Sequence, residues 1–157
     1  MRLPVLAAAT LVLATCSQPA DSPVEAPIAP MASAVLAGVD LTKPVRVGGN
    51  EPFWSIELTG MEMIYSGVDR PEQRAPQPAA NVQGTVAAFA GTTTAGNPLK
   101  VTLTATECSD GMSDREYPLS ALVEIGEETL TGCAASASAF AAASESGRVV
   151  DTVQPAA

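Results

Sequence analysis

The chain contains no histidine, few aromatic residues (4%) and only 8 lysines and arginines against 17 aspartates and glutamates. Without imidazole there is no Ser-His-Asp or Cys-His nucleophile pair, no His-ligated zinc and no histidine acid/base chemistry at neutral pH. A net charge of −9 with no cluster of basic residues excludes a phosphate-neutralising nucleic-acid surface. With 46% hydrophobic content and so few rings, the apolar share rests on Ala and Val, and 157 residues allow one domain with appendages. No cofactor is expected, and no catalytic constellation is visible. The expectation is therefore a non-enzymatic protein.

What is present begins at the amino terminus. Met1-Arg2 forms a short basic region, and Leu3 to Ala14 is an uncharged apolar run too short to span a hydrocarbon core as a helix. It reads as a secretory signal. Its end, Leu13-Ala14-Thr15-Cys16, resembles the lipobox of bacterial lipoproteins, with Thr15 standing where that pattern prefers Gly, Ala or Ser. The resemblance implies a signal peptide over 1–15, acylation of Cys16 and, with Ser17 following rather than Asp, an outer-membrane lipoprotein facing the periplasm. The alternative is cleavage near Ala32-Ser33-Ala34 and ordinary secretion into the periplasm.

With Cys16 used for lipid, Cys108 and Cys133 remain in a compartment that permits disulfides, and they are expected to bond to each other. Residues 16–42 read as anchor and tether. Prolines at 19, 23, 27 and 30 favour an extended chain, and 31–42 is mixed, with room for a short helix or strand.

From Lys43 to Ala134 the hydrophobic period is two. Trp54, Ile56 and Leu58 alternate with polar residues; so do Leu99, Val101 and Leu103, and then Leu119, Ala121, Val123 and Ile125. Val82, Val86, Ala88 and Ala90 fall on one face of another run. The pattern predicts an all-β domain over 43–134, a small antiparallel barrel or sandwich of about seven strands. Two connections interrupt it, the proline-rich Asp69 to Ala80 and the polar Cys108 to Pro118. Residues 135–157 read as an Ala/Ser-rich low-complexity tail, disordered or weakly helical.

Two segments carry the candidate chemistry. In Gly48-Gly49-Asn50-Glu51-Pro52-Phe53-Trp54, Trp54 belongs to the inward set, while Phe53 points the other way beside polar Asn50 and Glu51. In Cys108-Ser109-Asp110-Gly111-Met112-Ser113-Asp114-Arg115-Glu116-Tyr117-Pro118, acids and hydroxyls crowd around Gly111. Such oxygens suit a hard cation, but EF-hand spacing with its terminal Glu is absent, so no metal site is predicted. Paired carboxylates across a sugar would suit a glycosidase, yet acids within one loop do not establish that separation. The bland alternative is an ordered loop whose Ser and Asp side chains satisfy local backbone donors.

Asn50 to Trp54, Cys108 with Met112-Ser113-Asp114 and Tyr117-Pro118, and Gly132-Cys133-Ala134 together resemble the motifs of a family of uncharacterised bacterial envelope proteins and lipoproteins. The resemblance covers residues 45–134 and implies an envelope location without an assigned activity. The expected function is a lipid-anchored binding domain whose surface combines Asn50, Glu51 and Phe53 with Asp110, Ser113, Asp114 and Tyr117. Its expected partner is a cationic protein or a glycan, not nucleic acid. The alternatives are an inhibitor of a basic, lysozyme-type cell-wall hydrolase, which an acidic domain would attract, and a carboxylate-based glycan-acting enzyme.

Overall fold

The computed structural model describes residues 34–144 and 146–151; the signal segment, Cys16 and most of the proline tether lie outside them. In chain order the elements are β1 (Val35–Leu36), β2 (Val39–Asp40), β3 (Val45–Asn50), β4 (Phe53–Leu58), β5 (Glu62–Gly67), β6 (Arg70–Pro76) and β7 (Asn81–Gln83). Then follow β8 (Val86–Thr92), β9 (Pro98–Thr104), β10 (Cys108–Ser109), β11 (Asp114–Tyr117), β12 (Leu119–Ile125), β13 (Glu128–Ser136), helix α1 (Ala137–Ala142) and β14 (Ser146–Arg148). The protein is all-β, as its alternating pattern predicts.

Nine of these strands form one antiparallel sheet in the order β6-β5-β4-β3-β13-β12-β9-β8-β7. The sheet curls into a half-barrel that brings β6 against the β8–β9 turn. There the Thr94 amide donates to the Arg74 carbonyl at 2.9 Å, and the Asn97 side-chain amide donates to Gln73 Oε1 at 2.9 Å. Gly91 makes the approach possible, since a Cβ there would stand 2.9 Å from the Pro76 carbonyl.

The concave face holds the main core, and alternation along the strands decides which residues enter it. Val45 and Val47 of β3, Ile56 and Leu58 of β4, Met63 and Tyr65 of β5, and Leu99, Val101 and Leu103 of β9 are all buried. In β8 the inward residues are Ala87 and Phe89, while Ala90 is exposed. The expected face was off by one: the bulky Phe89 sets the register, and a one-residue slip inverts every side chain. The hairpin β1–β2 adds Leu36, Val39 and Leu41 to this core, so folded structure begins before residue 43.

A second layer lies on the convex face. Strands β10, β11 and β14 form a small sheet that joins α1 around Tyr117, Cys133, Ala135, Ala139 and Val149. Three sequence expectations are corrected here and along β6. The Asp69–Ala80 connection contains strand β6, which pairs with β5 despite its prolines because it is a sheet edge. The Cys108–Pro118 connection contains β10 and β11. The segment after 134 is not a tail through residue 151: β13 runs to Ser136, and β14 pairs in parallel with β11. Ser136 caps α1 by accepting the Ala139 amide at 3.1 Å, and Asp151 accepts hydrogen bonds from Ser136 and Ser138.

Candidate functional site

The convex face of β3, β4 and β5 carries a trough. Register partners place Cys133, Gly48, Ser55 and Ser66 in one row across β13, β3, β4 and β5. Small side chains in that row leave its floor low. On one flank Arg46 of β3 lies opposite Glu57 of β4, and on the other Asn50 lies opposite Phe53. At strand spacings of about 4.8 Å, four strands give a floor about 14 Å long. The second layer closes the Cys133 end with Arg115, Tyr117 and Phe140, producing a cleft of about 470 Å³.

Two long-range links hold the wall in place. Cys108 and Cys133 stand at disulfide distance, with Cα atoms 5.5 Å apart, and so fasten β10 to β13. The Asn50 side-chain amide donates to the Asp110 carbonyl at 2.6 Å, which ties the 109–117 segment to the end of β3. Sequence reasoning selected these two segments, and they meet.

The Asp110 carboxylate organises its own loop. One oxygen accepts the Met112 and Ser113 amides at 2.9 and 2.8 Å; the other accepts the Ser113 hydroxyl at 2.8 Å and the Tyr117 hydroxyl at 3.1 Å. Burial pushes its pKa up, but these hydrogen bonds outweigh burial and leave the carboxyl below its ordinary 3.8. Burial also raises the Tyr117 phenol above 10.0, with Asp110 adding to the rise and Arg115 opposing it. The bland reading of this loop accounts for Asp110 and Ser113.

Phe53 remains 53% exposed at the mouth of the cleft, next to exposed Val68, whose amide donates to the Phe53 carbonyl at 3.1 Å. Trp54 lies beneath, 5% exposed, with its indole packed over Gly49 and Gly132. A Cβ at Gly49 would stand 2.5 Å from the indole nitrogen and 2.6 Å from the Thr131 carbonyl. Close approach rather than turn geometry explains Gly49 and Gly132, whereas Gly111 has a positive φ of 71° and open space around it.

Of the predicted surface residues, Asn50, Phe53, Asp110 and Tyr117 line the cleft. Glu51 instead borders a neighbouring depression of about 780 Å³ on the other side of the Asn50–Asp110 link. Ser113 is engaged with Asp110, and Asp114 is exposed at the start of β11, in register with Ser146. The sequence reading missed Arg46, Ser55, Ser66, Arg115 and Phe140. Arg46 lies over the Phe140 ring at 5.1 Å from its centroid, and Arg115 Nε donates to the Ser144 carbonyl at 2.8 Å. The β3–β4 alternation puts Arg46 and Ser55 on the face of Phe53, a signal that was available; Phe140 lay in the presumed tail.

Among the described residues, no group of three or more His, Cys, Asp or Glu is placed to hold a metal ion. Nor is any helix there long and apolar enough to cross a membrane. In comparison with known proteins, no family model, no curated protein and no solved structure matches the chain.

Proposed function

We propose that this protein is a lipid-anchored binding module of a bacterial envelope, exposed to the periplasm from the outer membrane, and that its domain holds a glycan without turning it over. The single observation that carries the binding site is the Asn50–Asp110 hydrogen bond, because it brings an exposed aromatic and a pre-ordered loop to one cleft. Loops fixed on a rigid β scaffold are where binding residues tend to sit. The lipobox-like Leu13 to Cys16 and the proline-rich tether after it support the anchored reading.

Three features favour a saccharide over a protein segment. Strands β3, β4 and β13 are interior to the sheet, with partners on both sides, so they offer no free backbone row for an added peptide strand. Recognition is left to side chains: the Ser55 and Ser66 hydroxyls, the Asn50 amide, two guanidinium groups and the rings of Phe53 and Tyr117. A volume of about 470 Å³ is a small-molecule volume. The non-enzymatic reading rests on the absence of histidine and on the Asp110 carboxylate being committed to four local donors.

The test is calorimetric titration of the full chain with soluble cell-wall glycan fragments, alongside Phe53→Ala. Saturable binding weakened by about tenfold in the variant, the loss of one aromatic contact to the ligand, is expected. Binding unaffected by Phe53→Ala removes the cleft from the account. The net charge of −9 favours one other reading, inhibition of a basic cell-wall hydrolase. Slowed turnover of a lysozyme-type enzyme by the chain, with no binding of glycan alone, would select it.

A further inference from the structure

The cleft is electrostatically unlike the rest of the molecule. The chain carries −9 overall, yet the charged side chains lining the cleft are Arg46, Arg115 and the self-satisfied Asp110. Four cations outside the cleft pair with glutamates: Arg70 with Glu128, Arg74 with Glu62 and Glu72, Lys100 with Glu124, Arg148 with Glu107 and Glu116. Within the cleft Arg115 donates to the Ser144 carbonyl, and Arg46 is held differently. Among the described residues it has no carboxylate within ion-pair distance, and its guanidinium rests on the Phe140 ring, which fixes the fork and leaves its N–H edges available.

On these grounds we infer that the cleft selects a saccharide bearing a carboxylate, with Arg46 receiving the carboxylate and Ser55, Ser66 and Asn50 facing the ring hydroxyls. The inference rests on the glycan reading above and adds the charge of the ligand. A guanidinium fork matches a carboxylate with two parallel N–H donors, whereas a neutral sugar leaves that fork unmatched. The Asp110 carboxylate keeps its charge, but its four hydrogen bonds leave it little to offer a cationic ligand, which Arg46 would repel at close range.

Trp54 is the only tryptophan of the chain and lines the cleft, so its fluorescence reports occupancy at this site. The experiment titrates the full chain with trigalacturonate, with neutral galactotriose and with inorganic sulfate, in low and high salt, and repeats the first titration with Arg46→Gln. Expected are a saturable Trp54 change with trigalacturonate, binding at least about tenfold weaker for galactotriose and for Arg46→Gln, and weakening by salt. If Arg46→Gln does not fold, the salt dependence and the acid-to-neutral preference of the wild type decide alone. Equal binding of the neutral trisaccharide, or no dependence on salt or Arg46, overturns the inference and leaves the glycan reading intact. Sulfate binding as tightly as trigalacturonate also overturns it, since the site would then read an oxyanion without the sugar. Binding of neutral cell-wall fragments with no response to trigalacturonate overturns the charge preference alone, and no response to any saccharide overturns both.

Discussion

The Asn50 side-chain amide donates to the Asp110 carbonyl at 2.6 Å across 60 residues of sequence, joining the end of β3 to a loop of the second layer. Asn50→Ala removes the donor and leaves a partly buried carbonyl without that partner. Expected is a loss of about 1–2 kcal/mol in urea unfolding and faster hydrogen exchange across 109–113 than in β9. Unchanged exchange in that loop would mean the disulfide alone holds it.

The Asp110–Tyr117 contact predicts a stability profile that falls at both extremes of pH. The Asp110 carboxyl titrates below its ordinary 3.8, so its contribution is present above that pH and is lost as pH falls through the lowered value. The Tyr117 phenol titrates above 10.0, so its contribution is present below that pH and is lost as pH rises through the raised value. Asp110→Asn should flatten the acid limb and Tyr117→Phe the alkaline one, read from thermal unfolding against pH.

Cys108 and Cys133 are separated by 25 residues, and closing that loop stabilises the folded chain by about 3–4 kcal/mol in the chain-entropy model. The paired Cys108→Ala and Cys133→Ala variant should lose that amount in urea. Its loss should be accompanied by opening of β10 and β11 before the nine-stranded sheet, because the Cys133 side of the second layer depends on the link.

At Gly49 an added methyl meets the Trp54 indole and the Thr131 carbonyl, so Gly49→Ala should cost about 1–3 kcal/mol. It should also shift Trp54 emission. Gly84→Ala is the control for adding a methyl without a clash, since nothing lies within 4 Å of a Cβ there, although its φ of +59° carries a backbone cost of its own.

Alternation made the β class legible, along with the inward sets of β4, β9 and β12, because a half-buried strand must repeat every second residue. It failed where another constraint ruled. In β8 small alanines on both faces left the register to Phe89, and in β6 prolines hid an edge strand. The 137–151 segment looked featureless because few of its own residues are buried, Ala139 and Val149 with Phe140 and Ala143 packed beside them, and these give little periodic contrast. Half of the site was legible for a related reason: Asn50, Phe53 and the Asp110 loop stand out locally, whereas Ser66 and Phe140 join the cleft only through strand pairing and layer packing.

The proposed lipid anchor is tested by palmitate labelling of cells expressing the chain, where Cys16→Ala should abolish incorporation and release the protein from the detergent phase. Continued partitioning of that variant would contradict acylation at Cys16.

The claim that the cleft is the binding site is tested most directly by filling it. Ser66 is half-buried on the cleft floor, and Ser66→Trp places an indole in the volume a ligand would occupy. Glycan-fragment titration of wild type and Ser66→Trp, matched for urea midpoint, should give saturable heat for the first and none for the second. Equal heats from the two proteins would contradict the account.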